Sequence, residues 1–153
     1  ENADNIKKLG KFINIFNTIV NTFNLKIVWP VHPRTRKELL KNKIEINKNI
    51  ILLKPLGFID FIKLEKKCVA TITDSGTVQE ESALFKIPCA VIREYTERPE
   101  TIKAGSAILT NYNKEKIMNL ISLAVKKKYK IKKIKDYESI KVSSKVLNLI
   151  KKY

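Results

Sequence analysis

The 153-residue sequence predicts an α/β fold: a doubly wound parallel sheet of about five or six strands with helices on both faces. Short apolar runs rich in β-branched residues alternate with stretches of helical spacing along residues 4–128. The runs are nearly continuous in apolar character, as strands buried on both faces are. The stretches between them, of about 8 to 16 residues, suit the helical crossovers that parallel strands require.

Ile6, Leu9, Ile13, Phe16, Val20 and Phe23 recur at helical spacing behind Asn2 or Asp4 as a cap, so residues 4–23 are expected as an amphipathic helix. Leu25 to Val31 is a β-branched run closed by Pro30 and Pro33, and Pro33 suits the first turn of a helix over 34–42. Further strands are expected at 50–53, 68–73, 88–93 and 106–109, with helices at 58–66, 77–86 and from Pro99. Asn113 reads as the cap of a helix reaching about Lys128, with Ile117, Leu120, Ile121 and Ala124 on one face. Beyond it, Ser143, Val146, Leu147 and Ile150 suggest a terminal helix. Residues 1–153 are thus expected as one domain, with 129–153 a basic linker and terminal helix.

Thirty-one Lys and Arg against 15 Asp and Glu give a net charge of +16. The balance of 44% apolar and 30% charged residues is that of a soluble globular chain, and no apolar run approaches the roughly 18 to 20 residues of a membrane span. Residues 126–153 hold 11 lysines against two acids, a local +9. The run Lys126 to Lys135 could meet phosphates as a basic nucleic-acid-binding module. It contains no arginine, the better fork for phosphate, so a solvated helix end is the simpler expectation and nucleic acid is disfavoured as a partner. The sequence opens Glu1-Asn2-Ala3-Asp4, with neither an initiator Met nor a secretory signal, and reads as a piece of a longer protein. Cys68 and Cys89 sit in apolar runs without disulfide or metal spacing, which suits a reducing cytoplasm.

Right-handed crossovers put the strand-to-helix loops at the carboxyl edge of the sheet, where ligands bind in such folds. Thr73-Asp74-Ser75-Gly76-Thr77 passes from a buried strand into a helix whose first-turn amides and dipole favour an anion. Ser75 adds a hydroxyl, Gly76 permits close approach to the backbone, and Glu81 can accept two hydrogen bonds from a ribose diol. The set fits a nucleotide diphosphate, although a plain capped helix would use the same residues. The segment from Arg93 to Glu100 holds two of the four arginines and is a candidate substrate loop through Thr96, Glu97 and Arg98, or ordinary surface. The only histidine, His32, ends a strand, where a packed structural imidazole is the commoner outcome. No second histidine, paired-carboxylate cleft or Cys–His arrangement completes a catalytic set, so neither a catalytic residue nor a metal site is assigned and the chain reads as a binding half.

At these loops the sequence resembles the carboxyl-terminal domain of non-hydrolysing UDP-N-acetylglucosamine 2-epimerases. The resemblance rests on Pro30-Val31-His32, Leu52-Leu53-Lys54-Pro55-Leu56 leading to Phe61, Thr73-Asp74-Ser75-Gly76 with Gln79-Glu80-Glu81, Thr96-Glu97-Arg98-Pro99-Glu100 and Ala104-Gly105, and it covers about residues 3–125. It implies one Rossmann-like half of a GT-B fold with the substrate between two domains. By that resemblance Ser75 and Gly76 hold the diphosphate, Glu81 the ribose hydroxyls and the segment at Phe61 the uracil, while His32 belongs to a second, regulatory UDP-GlcNAc site. The implied reaction interconverts UDP-GlcNAc and UDP-ManNAc by removal of the C2 proton, anti elimination of UDP to a glycal, and re-addition. Its acids and bases sit mainly in the amino-terminal domain, so this chain alone is expected to bind UDP without turnover and with no cofactor. The implied partners are the two UDP-sugars, the amino-terminal domain of the same protein and, as a homodimer, a second copy; the setting is cytoplasmic polysaccharide biosynthesis.

Three departures stand out. Thr77 replaces a common second glycine, the usual His-Arg motif before the first helix is absent, and Tyr137-Glu138-Ser139-Ile140 stands where many relatives carry Gly-Asp-Gly. A hydrolysing epimerase or a GT-B glycosyltransferase would also hold UDP at such a strand-loop-helix and remains an alternative at this level.

Overall fold

A computed structural model of the chain describes residues 6–152. The Asn2 or Asp4 cap and the first residues of the helix expected from 4 lie outside them. Among the described residues seven helices and five strands follow one another as α1 (Ile6–Phe23), β1 (Ile27–Pro30), α2 (Pro33–Lys41), β2 (Ile50–Leu53), α3 (Phe58–Glu65), β3 (Thr71–Thr73), α4 (Gly76–Phe85), β4 (Cys89–Val91), α5 (Pro99–Lys103), β5 (Ala107–Leu109), α6 (Lys114–Val125) and α7 (Val142–Ile150), with a 3-10 turn at Lys135–Glu138 before α7. Every strand pair is parallel, as the crossovers demand: β1 with β2, β3 with β4, and β4 with β5.

The ladder hydrogen bonds join the five strands as a pair, β1-β2, and a triplet, β3-β4-β5. Between β1 and β3 lies a cavity of about 500 Å³, walled by Phe16 and Trp29 on one side and Ile72 and Ile92 on the other. The strands are also shorter than the apolar runs that announced them. Cys68 is not in a strand but in the turn that ends α3, where its N–H donates to the carbonyl of Glu65. An apolar run reports burial, and burial extends past the last ladder bond.

Strand β4 shows how the layers are built. Cys89 and Val91 face one side, packed with Ala107, Ile102 and Leu109, while Ala90 and Ile92 face the other, packed with Ile15, Phe16, Ile19, Ile117, Leu120 and Ile121. Helices α1 and α6 therefore cover one face, and α4 and α5 the other. Phe12 stacks on Trp29 at 6.0 Å and meets the rings of Phe16 and Tyr112 edge-on at 5.1 and 5.4 Å, which fixes α1 against β1 and the start of α6. Such pairs add about 0.5–1.5 kcal/mol each beyond burial. Asn113 caps α6 as expected, its side chain accepting the N–H of Lys116 at 2.9 Å.

After α6 the chain turns back across the α4 and α5 side. Lys132 N–H donates to the carbonyl of Ala104. Gly105, at φ +72°, lies beneath it, and a Cβ there would stand 3.4 Å from the carbonyl oxygen of Lys130. That pairing of left-handed backbone and close crossing is a physical reason for glycine after Ala104. Helix α7 forms where its apolar spacing predicts, yet Val146, Leu147, Leu149 and Ile150 are all exposed. Helical spacing located the helix; no described residue covers its apolar face.

Candidate functional site

Strand β3 ends in a turn that releases α4. The hydroxyl of Thr73 accepts the N–H of Ser75 at 3.0 Å, bending the chain at Asp74 and Ser75. Ser75 is the N-cap of α4, at φ −86° and ψ 134°, yet its hydroxyl makes no capping hydrogen bond. The first-turn amides and the positive end of the helix dipole are thus accompanied by a hydroxyl the helix does not consume. Thr77 follows exposed in the first turn, so its Cβ is accommodated without displacing any packing.

The loop from Arg93 to Arg98 docks onto α4 by two contacts. Thr96 donates its hydroxyl to Gln79 Oε1 at 2.7 Å, and the Arg98 guanidinium is ion-paired through Nε with Glu80. The same Thr96 oxygen accepts the N–H of Arg98 at 3.1 Å, and Arg98 Nη1 reaches the carbonyl of Glu97 at 3.4 Å. Arg98 Nη2 is left nearest Gly76, 3.5 Å from where a Cβ would stand. The loop is tied down from its far side too: Tyr137 of the 3-10 turn donates its hydroxyl to Glu100 Oε1 at 2.5 Å. That donation holds the Glu100 carboxyl below its ordinary range, and the ion pair with Glu80 raises Arg98 above its own. The Glu97 carboxylate is ion-paired with Arg93 at 3.4 Å.

Phe61 lies half-buried in the second turn of α3 and lines the cavity together with Asp74 and Val78, which places it beside the start of α4. Glu81 is half-buried on α4, and its carboxyl interacts with Glu65 at the end of α3. Glu65 is 3% exposed; its Oε1 accepts the hydroxyl of Ser82 at 2.9 Å, while its Oε2 is buried without a donor. Burial first, and the neighbouring Glu81 charge after it, push the Glu65 carboxyl up to about 7. Ser82 in turn shares a 2.9 Å hydrogen bond with Thr71.

His32 stands apart, at the end of β1 in the other ladder. It is exposed and is the N-cap of α2, Nδ1 accepting the N–H of Arg34 at 3.2 Å. Nearby, Arg36 Nη2 donates to the carbonyl of Leu52 at 3.2 Å, tying α2 to β2. The fold thus gathers Ser75, Gly76, Thr96 and Arg98 about the start of α4 and sets Phe61 and Glu81 along the α3 and α4 side. The sequence motifs include Gln79, Glu80 and Tyr137 but give them no role, and Glu65 belongs to none of them; the partners of Gln79 and Glu80 are 17 and 18 residues away.

The family model described as UDP-N-acetylglucosamine 2-epimerase matches residues 1–151. The chain belongs to this family. The epimerase of Methanocaldococcus jannaschii is 39% identical over 132 residues, covering 84% of this chain and 36% of that protein. That of Methanococcus maripaludis is 41% identical over 130 residues, covering 82% and 36%. The crystal structure of the M. jannaschii epimerase in complex with UDP-GlcNAc and UDP superposes with a TM-score of 0.86 at 33% identity, over 99% of this chain and 42% of that one. The α/β architecture with parallel strands is therefore the family's. The chain spans about a third of the length of the curated relatives it matches.

The comparisons also weigh on the alternatives. The family model that matches is the epimerase's, and nothing in the site singles out the basic run at Lys126 to Lys135 as a ligand surface. Among the described residues no cluster of His, Cys, Asp or Glu could hold a metal ion, and no helix is long and apolar enough to cross a membrane.

Proposed function

We propose that this epimerase-family chain is the UDP-holding, Rossmann-like carboxyl-terminal domain of a two-domain enzyme that interconverts UDP-GlcNAc and UDP-ManNAc. The observation that carries the reading is the start of α4, where an unspent Ser75 hydroxyl, the first-turn amides and Arg98 over Gly76 converge on one small-residue turn. Ser75 and Gly76 take the diphosphate, Glu81 the ribose diol, and Phe61 the uracil. Thr96, Glu97 and Arg98 form the loop that approaches the substrate, and His32 serves a second, regulatory UDP-GlcNAc site.

Elimination of UDP across C1 and C2 leaves negative charge on the departing diphosphate. A helix N-terminus and a guanidinium fixed in advance stabilise that charge without reorganising as it develops. This domain thus governs departure and return of UDP, while proton removal and delivery at C2 fall to the amino-terminal domain. The setting is the cytoplasm, in the supply of N-acetylmannosamine units for surface polysaccharide, and a second copy of the protein is the expected oligomeric partner.

Proton NMR of the intact protein with UDP-GlcNAc in deuterated water tests the reading. UDP-ManNAc carrying deuterium at C2 is the expected product. Free UDP with N-acetylmannosamine would instead identify a hydrolysing relative, and an unchanged substrate would point to a transferase awaiting an acceptor.

A further inference from the structure

The guanidinium of Arg98 is held at two of its three nitrogens. Its Nε is engaged by Glu80 and its Nη1 by the carbonyl of Glu97. Nη2, turned toward Gly76, makes no hydrogen bond among the described residues. A free arginine side chain loses rotamer entropy when a ligand immobilises it, and an arginine already pinned does not. Pinning through Nε leaves the Nη2 edge as the donor that meets an incoming oxyanion.

The second restraint comes from the tail. Tyr137 is 37 residues beyond Glu100, yet its hydroxyl donates to the carboxylate that begins α5, two residues from Arg98. The 3-10 turn carrying Tyr137 packs against α4, and three residues before it the Lys132 N–H donates to the carbonyl of Ala104. The segment Tyr137-Glu138-Ser139-Ile140 therefore supplies a side chain that reaches the residue two positions beyond Arg98.

We propose that Glu80 and Tyr137 are positioning residues: the ion pair of Glu80 with Arg98 and the hydrogen bond of Tyr137 to Glu100 hold Arg98 Nη2 over Gly76, where it grips the diphosphate of the UDP-sugar. The proposal rests on UDP binding at Ser75 and Gly76 and adds a division of labour within Gln79-Glu80-Glu81. Gln79 fastens the loop, Glu80 aims its arginine, and Glu81 stays with the ribose. A carboxylate near a phosphate site ordinarily repels the ligand; here its charge is already neutralised by the arginine it orients.

The test measures dissociation constants for UDP and uridine by calorimetry on the intact protein and on Arg98→Ala, Glu80→Gln and Tyr137→Phe. Each of the last two keeps the size of the side chain, and circular dichroism of every variant reports its fold. Charge-assisted hydrogen bonds predict a loss of UDP affinity of about tenfold or more for Arg98→Ala, with uridine changed by less than about twofold. Glu80→Gln is expected to cost about three- to tenfold for UDP, Tyr137→Phe about two- to fourfold, and neither to move uridine. Added to Arg98→Ala, Glu80→Gln should cause no further loss, since a residue acting through another is silent once that other is gone. UDP binding unchanged or tighter in Glu80→Gln, parallel losses for uridine, or full additivity with Arg98→Ala would each overturn the positioning role while leaving the UDP site standing. Absence of UDP binding by the unsubstituted protein would overturn the site and the positioning role together.

Discussion

The hydroxyl of Thr96 donates to Oε1 of Gln79 at 2.7 Å, and Gln79 is fully buried. Its amide nitrogen meanwhile reaches the carbonyl of Ser75 at 3.3 Å, so one side chain links the substrate loop to the turn that starts α4. Thr96→Val keeps the shape but leaves a buried acceptor without a donor, a loss of about 1–3 kcal/mol. Urea unfolding should show that loss, and the variant's UDP affinity should fall because Arg98 N–H loses its Thr96 acceptor as well. A Thr96→Ser variant, which retains the hydroxyl, should recover most of both.

Glu65 makes stability depend on pH in an unusual direction. The unfolded carboxyl ionises near 4.5, whereas burial beside Glu81 pushes the folded one up to about 7. Below pH 4.5 both forms are protonated and the contribution is fully present. Between about 4.5 and 7 only the unfolded form releases its proton, so stability is lost as pH rises through that window, by roughly 3 kcal/mol in all. Of the ionisable neighbours, the thiols of Cys68 and Cys89 are pushed up to about 12 and 11 by burial and stay protonated throughout. Glu65→Gln should therefore unfold at higher urea than the unsubstituted chain at pH 8 and lose that advantage at pH 5. Equal differences at the two pH values would remove Glu65 as the source.

Helical spacing and β-branched runs sufficed to locate α1 through α6 and the five strands to within a few residues, because those patterns are local, although α4 buries Gln79 and Ser82 and leaves Leu84 exposed. Pairing was not legible: nothing in the runs at Ile27 and Thr71 distinguishes strands that exchange ladder bonds from strands that face a cavity. The site divides in the same way. Ser75 and Gly76 were readable because a strand-turn-helix anion site is local chemistry. Glu80, Glu65 and Tyr137 act through partners 17 to 37 residues distant, and only the packed fold brings those partners together.

His32 carries two roles that one substitution can separate. Its Nδ1 caps α2, so His32→Ala should cost about 0.5–2 kcal/mol through the lost cap. Asparagine caps at least as well, and His32→Asn should restore stability while removing the imidazole. If His32 serves a regulatory UDP-GlcNAc site, the asparagine variant of the intact enzyme loses substrate activation at unchanged thermal midpoint. Activation that survives in His32→Asn would leave the residue a helix cap alone.

Gly76 offers the sharpest separation of folding from binding. The three atoms nearest a Cβ built there all belong to the Arg98 guanidinium, at 3.5 Å or beyond, and Gly76 has no left-handed backbone requirement. Gly76→Ala should therefore fold normally, and alanine's better helix propensity adds up to about 1 kcal/mol, less at this first position than in a helix interior. The added methyl nonetheless occupies the gap between the turn and Arg98 Nη2, which is where a phosphate oxygen would sit. UDP and pyrophosphate should both bind at least about tenfold more weakly, as expected when charge-assisted contacts are displaced, while uridine holds. Glu81→Ala should show the converse pattern, weakening UDP and uridine through the ribose diol and sparing pyrophosphate. Calorimetry with the three ligands on the two variants assigns each end of the nucleotide to its residue, and a Gly76→Ala protein that binds pyrophosphate undiminished would move the diphosphate away from α4.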